Sequence, residues 1–262
     1  MRRYIELLTV QVRASLLLAL QYRLDFFMQG ALALFWSATA LVPLYALFTI
    51  RDGVAGWTGN EMLIVVGFFT AHKGVLASVI QPSLTQAVEH IRKGTLDFLL
   101  LKPADAQFMI STSKLEPAHA MDVLAGFVII GWATVRAGFR PSLLDVALAL
   151  ALFLCGLTIL YALWILVISL AFRVVKIDNM SYLFVSLFDA ARWPSSVFRG
   201  ALAFLFTYVI PLALMTTYPA LAVLGRVRAH DVGVALAVAL GLTLTSRFIW
   251  TRSIRYYTGA SS

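Results

Sequence analysis

The most constraining feature of this sequence is a set of long apolar runs separated by short charged segments. The longest run, residues 143–172, contains a single charged side chain, Asp145. A helix of about 20 apolar residues crosses the roughly 30 Å hydrocarbon core of a bilayer. This run is therefore long enough to cross the core and either tilt or project beyond it. We therefore expect a chain built from such runs to be embedded in a lipid bilayer.

The overall composition agrees with a membrane protein. Hydrophobic residues make up 61% of the chain, charged residues 13%, and the mean hydropathy is +0.86. Soluble domains carry about 25% charged residues, so the composition excludes a soluble globular fold. The net charge of +8 does not indicate nucleic-acid binding, because Lys and Arg accumulate in the cytoplasmic loops of membrane proteins. Cys155 is the only cysteine, so no intrachain disulfide can form.

The apolar runs predict an all-α polytopic membrane protein with six transmembrane helices. Six spans place both termini on one side of the membrane, together with most Lys and Arg residues, and the positive-inside rule makes that side the cytoplasm. Arg51, Arg136 and Arg140 then lie on the outer side. We expect a transmembrane domain over residues 26–262, with spans at 26–50, 61–80, 118–135, 143–172, 181–200 and 232–250.

Residues 181–224 allow two topologies. In the first, 181–200 is the fifth span, Asp189 and Arg192 form an intramembrane pair, and 201–224 is a re-entrant hairpin. In the second, 201–224 is itself the fifth span. We favour the first, because closely spaced prolines suit a broken helix that is buried in protein, and opposite charges at i, i+3 partly neutralise each other. The prolines of this region are Pro194, Pro211 and Pro219.

The N-terminal residues 1–25 carry too many charges to cross a membrane. Their apolar side chains nevertheless recur at near-helical spacing, at Ile5, Leu8, Val12, Leu16 and Ala19. This pattern favours an amphipathic helix that lies at the cytoplasmic membrane surface. The alternative is a plain cytoplasmic extension of the first span.

A charged segment, residues 82–116, separates the second and third spans. Leu84, Val88 and Ile91 form one apolar helical stripe, and Arg92 and Lys93 follow in the last turn, where cations suit the helix dipole. The pattern predicts that this helix turns sharply after its last residues and that a very short helix follows. From the residues alone, this element either docks in a groove of another protein or folds back onto the membrane surface.

The corner and the short helix are predicted from local residue preferences. Gly94 fits the left-handed position after a helix end, and Thr95 is a good N-cap for the next helix. Asp97 lies in the first turn of that short helix, Phe98 to Leu101 fill it, and Pro103 ends it.

The stretch "IRKGTLDFLLLKPADAQF", residues 91–108, resembles a signature of the membrane subunits of ABC-2 type exporters, in the six-span subfamily first described as a domain of unknown function. The pattern I-R-x-G-x-L-D-x-x-L-x-K-P-x-x-x-x-F is matched in full. A second stretch, "YVIPLALMTTYPALAVLG", is similar to the proline-bearing segment before the last helix of that family. The resemblance covers essentially the whole chain and implies an N-terminal interfacial helix, six spans and a re-entrant element.

The resemblance also implies a function and partners. The loop between the second and third spans would carry a coupling helix that docks in a separate nucleotide-binding subunit, which would bind ATP and Mg²⁺. Two such ATPase subunits, a second identical or related permease chain and membrane lipids are the expected partners, in a bacterial inner membrane. The cargo is expected from the residues and not from the resemblance: the aromatic side chains of the apolar runs, such as Phe68, Trp164 and Phe204, suit an amphiphilic, lipid-linked or drug-like cargo better than a small ion. The residues expected at or beside the contact are Glu89, Ile91, Arg92, Lys93, Gly94, Thr95, Leu96, Asp97, Phe98, Leu100, Lys102 and Pro103, with Leu96, Phe98 and Leu100 as apolar contacts.

Other functional classes lack their signatures in this sequence. No G-x-x-x-x-G-K-[ST] phosphate loop is present, so we expect no ATP site in this chain. No H-E-x-x-H or G-x-S-x-G motif indicates an intramembrane enzyme. The four histidines are scattered over different segments, and no cofactor, metal site or catalytic residue is expected. A channel would need polar stripes along its spans, and the polar residues are too dispersed to form one.

Overall fold

The computed structural model describes residues 2–172 and 184–257, and these residues are almost entirely helical. One short hairpin of β1 (Gly53–Val54) and β2 (Trp57–Thr58) interrupts the helices. The helices in chain order are α1 (Arg2–Gln21), α2 (Arg23–Thr39), α3 (Val42–Ile50), α4 (Gly59–Val75), α5 (Gln81–Arg92), α6 (Asp97–Leu100), α7 (Ala106–Ser111), α8 (Ala120–Arg136), α9 (Leu143–Ser169), α10 (residues 184–188), α11 (Gly200–Phe204), α12 (Tyr218–Val223) and α13 (Ala229–Ser253).

Five helical segments of the described residues are long and apolar enough to cross a membrane. They are Arg23–Ile50, Gly59–Arg92, Pro117–Arg136, Leu143–Ser169 and Ala229–Ser253. A sixth crossing is added if the bent pair Gly200–Val209 and Ala213–Val223 counts as one span. These segments confirm the predicted all-α, polytopic membrane class. The span and domain boundaries given above remain predictions.

Small residues bring α4 and α8 into close antiparallel contact. A Cβ added to Gly67 would lie 2.6 Å from the Ile130 Cγ1 and 2.8 Å from the Gly126 carbonyl oxygen. A Cβ added to Gly126 would lie 2.6 Å from the Gly67 carbonyl oxygen. Small residues at helix interfaces let backbones approach, and van der Waals packing then holds membrane helices together. Gly67 and Gly126 therefore determine how closely α4 and α8 approach each other.

Helix α9 lies at the centre of the core and begins with a well-defined cap. The Ser142 hydroxyl accepts from the Asp145 N–H, and the Asp145 carboxylate accepts from the Ser142 N–H. This reciprocal arrangement satisfies two backbone donors at the start of the helix. Further along α9, the fully buried Ile159 and Trp164 anchor the core against the neighbouring helices.

Two opposite ends of the bundle can be defined from the continuous run of α4 and α5. The hairpin end is where α4 begins, beside β1 and β2, and there the buried carboxylate of Glu61 pairs with Arg226 at 2.6 Å. At the same end, the Trp57 indole N–H donates to the Ser196 hydroxyl at 3.2 Å. The α6 end is where α5 ends and the charged segment begins.

The described part of the predicted fifth span, 184–200, is not one regular helix. Residues 181–183 of that prediction lie outside the described residues. Helix α10 is followed by a 3-10 turn over Asp189–Arg192, extended backbone at Trp193 and Pro194, and a second 3-10 turn over Ser195–Val197. Pro194 ends the helical conformation here because the residue before a proline is disfavoured in the α region.

Residues 200–223 form a bent element, as the prolines predict. Helix α11 continues into a π-helical turn at Leu205–Val209, and a second π-helical turn at Ala213–Thr217 leads into α12. The two arms meet at Pro211 with a bend of 68°. Pro219 lies directly after the π-helical turn, in the first turn of α12.

Helix α1 has no buried residue and extends from the start of α2. Near its N-terminus it contacts the segment after α6, where the Tyr4 ring packs edge-on against Phe108 at a centroid distance of 4.9 Å. The Tyr4 hydroxyl also accepts from the Asp105 N–H at 3.3 Å. The helical state of residues 2–21 agrees with the predicted N-terminal helix, and its position at a membrane surface stays a prediction.

Candidate functional site

The charged segment begins as a direct continuation of a membrane-spanning helix. Helix α4, a π-helical turn at Leu76–Ile80 and α5 form one helical run over Gly59–Arg92. At about 1.5 Å per residue this run is roughly 50 Å long, well beyond the roughly 30 Å of hydrocarbon. A helical run of this length that crosses the hydrocarbon core extends beyond it at one end or both. Leu84 is fully buried and both Val88 and Ile91 pack on the core, as the apolar stripe predicts.

The corner after α5 has the hydrogen bonds of a Schellman motif. Gly94 adopts φ +68°, the Gly94 N–H donates to the Ile91 carbonyl at 3.3 Å, and the Thr95 N–H donates to the His90 carbonyl at 3.0 Å. Only glycine adopts this left-handed conformation without strain. The predicted order of helix, glycine corner and short helix is therefore present.

The predicted role of Thr95 as the N-cap of the short helix is wrong. Leu96 occupies the cap position of α6 and makes no side-chain capping bond. The Thr95 hydroxyl instead contacts the His90 Nδ1 at 2.8 Å, back across the corner. Thr95 thus ties the corner to α5 and does not start α6.

Leu96 is a core residue, which corrects its assignment as an exposed apolar contact. Its side chain is 0% exposed, and its backbone N–H donates to the Tyr257 hydroxyl at 3.2 Å. Leu99 and Leu100 are partly buried and pack against the same core. The burial of Leu96 fixes the start of α6 to the body of the protein.

The outer surface of α6 and the residue after it present unusually exposed apolar side chains. Phe98 is 73% exposed and Leu101 is 82% exposed. Lys102 and Pro103 follow and are also exposed. Because α6 has only four residues and begins at the buried Leu96, these two side chains project from a short element whose start is fixed to the core. We call Phe98 and Leu101 the α6 knob.

Charged side chains lie beside the α6 knob on the last turn of α5. Glu89 pairs with Lys93 at 3.0 Å and also forms an ion pair with Arg92. Ion pairs between exposed side chains contribute little to stability because the solvent screens them. Arg92 and Lys93 share the single carboxylate of Glu89, so these three side chains together leave a net positive charge beside the knob.

A polar network connects the segment after the knob to two membrane-spanning helices. Asp105 caps α7 by accepting from the Phe108 N–H at 3.0 Å, and its carboxylate pairs with Arg247 of α13. The same guanidinium donates to the Gln107 Oε1 at 2.8 Å, and the Gln107 amide donates to the Tyr161 hydroxyl of α9 at 3.0 Å. The network thereby fixes α7 to both α9 and α13.

Arg247 also sets the protonation of Asp105. The hydrogen bond from the guanidinium, together with the Phe108 N–H, lowers the pKa of the Asp105 carboxyl below its usual value of 3.8, against the opposing effect of burial. Hydrogen bonds to the charged form favour that form. Asp105 is therefore ionised over the whole physiological pH range and the ion pair persists there.

The predicted intramembrane pair lies at a distance from the α6 knob. Asp189 and Arg192 approach to 3.4 Å between the Oδ1 and Nη2 atoms, close enough for an ion pair but without hydrogen-bond geometry. The Arg192 Nε donates to the Asp189 carbonyl oxygen, and its guanidinium lies 5.5 Å from the centroid of the Phe69 ring. Both side chains remain partly exposed, so this pair is a local turn contact.

The α6 end presents an exposed apolar surface bordered by charged side chains. Among residues 2–172 and 184–257, no group of three or more His, Cys, Asp or Glu side chains could hold a metal ion. The knob itself offers apolar contacts bordered by charges. What such a surface can do is dock a partner and transmit its movement.

Sequence reasoning missed part of this site. Leu101 was not among the residues predicted at the contact, although it is more exposed than Phe98. Asp105 precedes Phe108 by three residues, the spacing of an N-cap bond. Arg247 interrupts the last apolar run, and a charge in such a run calls for a partner. These two signals together predict an anchored α7.

The comparisons with known proteins identify the family of the chain. No curated protein and no solved structure matches the chain. A family model described as "ABC-2 family transporter protein" matches residues 34–261, which include the helical run α4–α5, the α6 knob and the bent element. This match confirms the resemblance found at residues 91–108. The chain therefore belongs to the ABC-2 family of transporter proteins.

Proposed function

We propose that this chain is the permease subunit of an ATP-driven ABC-2 exporter, and that the α6 knob docks in a separate nucleotide-binding subunit. The permease dimerises with an identical or related chain and recruits two ATPase subunits, which bind ATP and Mg²⁺. It moves an amphiphilic, lipid-linked or drug-like cargo out of the cytoplasm of a bacterial cell. Membership in the ABC-2 family supports the permease role.

The exposure of Phe98 and Leu101 is the observation that carries the docking proposal. Burying a large apolar side chain stabilises a complex by about 1.5–3 kcal/mol relative to leaving it in water. The knob follows a helical run that is longer than the hydrocarbon core is thick, and in the proposed orientation it lies on the cytoplasmic side of that core. A protein groove is therefore the occupant that its position favours over the membrane surface.

The attachment of the chain on both sides of the knob suits the transmission of force. Leu96 fixes the start of α6 to the core, and the Asp105–Arg247 pair fixes the chain just after α6 to α13. A movement of the partner at the knob would therefore act on α4, through α5, and on α13 together. A loosely attached loop would absorb that movement instead.

The distribution of charge supports an orientation with the α6 end in the cytoplasm. Cations at that end outnumber those at the hairpin end, as the positive-inside rule requires of a cytoplasmic side. Both termini then lie in the cytoplasm of a bacterial inner membrane. The described cations assigned to the cytoplasmic side are Arg2, Arg3, Arg13, Arg23, Arg92, Lys93, Lys102, Lys114, Arg252 and Arg255, while Arg173 and Lys176 lie outside the described residues.

Affinity purification of the intact complex from mild detergent tests this function. We expect a polypeptide with a G-x-x-x-x-G-K-[ST] phosphate loop to co-purify in stoichiometric amount and to hydrolyse ATP. The double variant Phe98→Asp/Leu101→Asp should lose this polypeptide. Thr85→Asp introduces a single negative charge at an exposed position of α5 and should retain it, as the matched control for Phe98→Asp alone. Purification of the wild-type chain without any ATPase would contradict the proposal.

A further inference from the structure

An open groove lies at the hairpin end, between α3, the start of α4 and the end of α8. Its volume is about 450 Å³, within the usual range of small-molecule sites. Leu44, Phe48 and Leu63 form its apolar wall, and Asn60 and Arg136 lie at its polar edge. None of these contacts belongs to the α6 knob or to the network around Arg247.

Arg136 is a cation without an anionic partner at the edge of this groove. Its guanidinium stacks over the Trp132 ring at 5.0 Å from the centroid, and within the described ranges no carboxylate lies within ion-pair distance of it. By contrast, Arg226 at the same end pairs with the buried Glu61. Stacking on an aromatic ring restricts the guanidinium and leaves its N–H donors available for a phosphate or a carboxylate.

The groove lies where a lipid molecule has access to it. Trp132 and Tyr45 are exposed on its two sides, and such amphipathic rings concentrate at the level of the lipid headgroups. The α3 and α8 walls belong to the segments Arg23–Ile50 and Pro117–Arg136, both apolar enough to cross the membrane. Hydrocarbon chains can therefore reach the apolar wall while a headgroup stays beside Arg136.

We propose that this groove binds an anionic phospholipid of the bilayer. The acyl chain packs along Leu44, Phe48 and Leu63, and the phosphate receives two N–H donors from Arg136. Planar guanidinium groups bind phosphate in this bidentate manner. The unpaired positive charge complements an anionic headgroup, whereas a zwitterionic headgroup brings its own cation to the same edge. The groove lies at the hairpin end, away from the α6 knob, so its lipid binding does not depend on ATPase docking.

Native mass spectrometry of the purified full-length chain or complex, with added phosphatidylglycerol or phosphatidylcholine, tests the site. We expect one phosphatidylglycerol retained per chain, and phosphatidylcholine retained less. Arg136→Gln should weaken phosphatidylglycerol binding about tenfold, the scale of a lost charge-assisted contact. Thr49→Trp, which fills the groove from α3, should have a similar effect. Arg140→Gln is the matched control, because Arg140 is exposed in the loop after α8 and does not line the groove.

Three results would overturn the proposal. Equal binding of both lipids would remove the role of charge, and equal weakening by Arg140→Gln would remove the role of Arg136 in particular. Cross-linking of a photoreactive residue at Tyr45 to a second copy of the chain would show that the groove is a subunit contact. Circular dichroism and elution volume, unchanged in the variants, ensure that a loss of lipid reflects the site and not unfolding.

Discussion

Arg247 of α13 donates to both Asp105 and Gln107, two residues that lie 142 and 140 positions away in the chain. Asp105 in turn caps α7, and Gln107 contacts the Tyr161 hydroxyl of α9. One guanidinium therefore joins the segment after the α6 knob to two membrane-spanning helices. In the proposed exporter, this connection is the second mechanical link from the ATPase contact, after the continuous α4–α5 run.

Loss of this link should uncouple the permease more than it unfolds it. Arg247→Gln removes an ion pair whose partners are both partly exposed, so the expected loss of stability is about 1 kcal/mol or less. ATPase stimulation by the permease should fall about five- to tenfold, the range of a typical coupling free energy. The measurement compares the ATP hydrolysis rate of the complex with that of the isolated ATPase. Arg252→Gln, on the same helix but with its guanidinium over Phe248, should leave stimulation unchanged.

The Asp105–Arg247 pair also predicts a pH dependence of stability. Because the folded state lowers the pKa of Asp105 below 3.8, the contribution of the carboxylate is complete above about pH 3.8 and is lost as the pH falls through the folded-state pKa. The melting temperatures of the wild type and Asp105→Asn should therefore differ by a constant amount between pH 8 and pH 5. Thermal unfolding in detergent over this range measures the difference. A gap that closes already near neutral pH would argue against the pair.

Leu96 and Phe98 should respond to substitution in opposite ways. Leu96→Ala empties a fully buried site and should cost about 2–5 kcal/mol of stability. Phe98→Ala removes an exposed side chain and should change stability by less than about 0.5 kcal/mol, yet weaken co-purification of the ATPase. Thermal unfolding and pull-down on the same preparations separate the two effects. Equal stability losses in both variants would mean that Phe98 is not exposed in the complete protein.

The close contact between α4 and α8 predicts that two glycines of α8, Gly126 and Gly131, respond differently to alanine substitution. Gly126→Ala places a Cβ 2.6 Å from backbone atoms of Gly67 and Ala71, so the helices must separate and the protein should lose about 1–3 kcal/mol. Gly131→Ala on the same helix meets nothing within 4 Å and should be neutral or stabilise by up to about 1 kcal/mol. Melting temperatures in one detergent provide the comparison. The account of this interface fails if both alanines have the same effect.

The sequence predicts those parts of the structure that depend on neighbouring residues. The corner at Gly94 follows from the glycine after Arg92 and Lys93, and the bend at Pro211 follows from the proline itself. Both are local consequences of backbone geometry. The membrane-spanning segments could also be predicted, because the length and the apolar composition of a run are enough to identify it.

The parts that could not be predicted depend on contacts between distant residues. An apolar residue such as Leu96 could face either a partner or the core, and the sequence does not distinguish the two. Its burial and the contact with Tyr257, 161 residues away, show that it lies in the core. Thr95 is a different case, because its preference for an N-cap position yields to a local bond with His90, five residues earlier in the chain. A tertiary contact overrides local preference only at Leu96.

The most direct test of the central claim is photo-cross-linking from the α6 knob in native membranes. A photoreactive residue at position 98 should cross-link to a polypeptide that mass spectrometry identifies by its phosphate loop, and the same residue at Phe27, exposed on α2, should not. This result would place the knob in the groove of an ATPase. Cross-links from position 98 to lipid alone, or to no ATPase, would contradict the account and return α6 to the membrane surface.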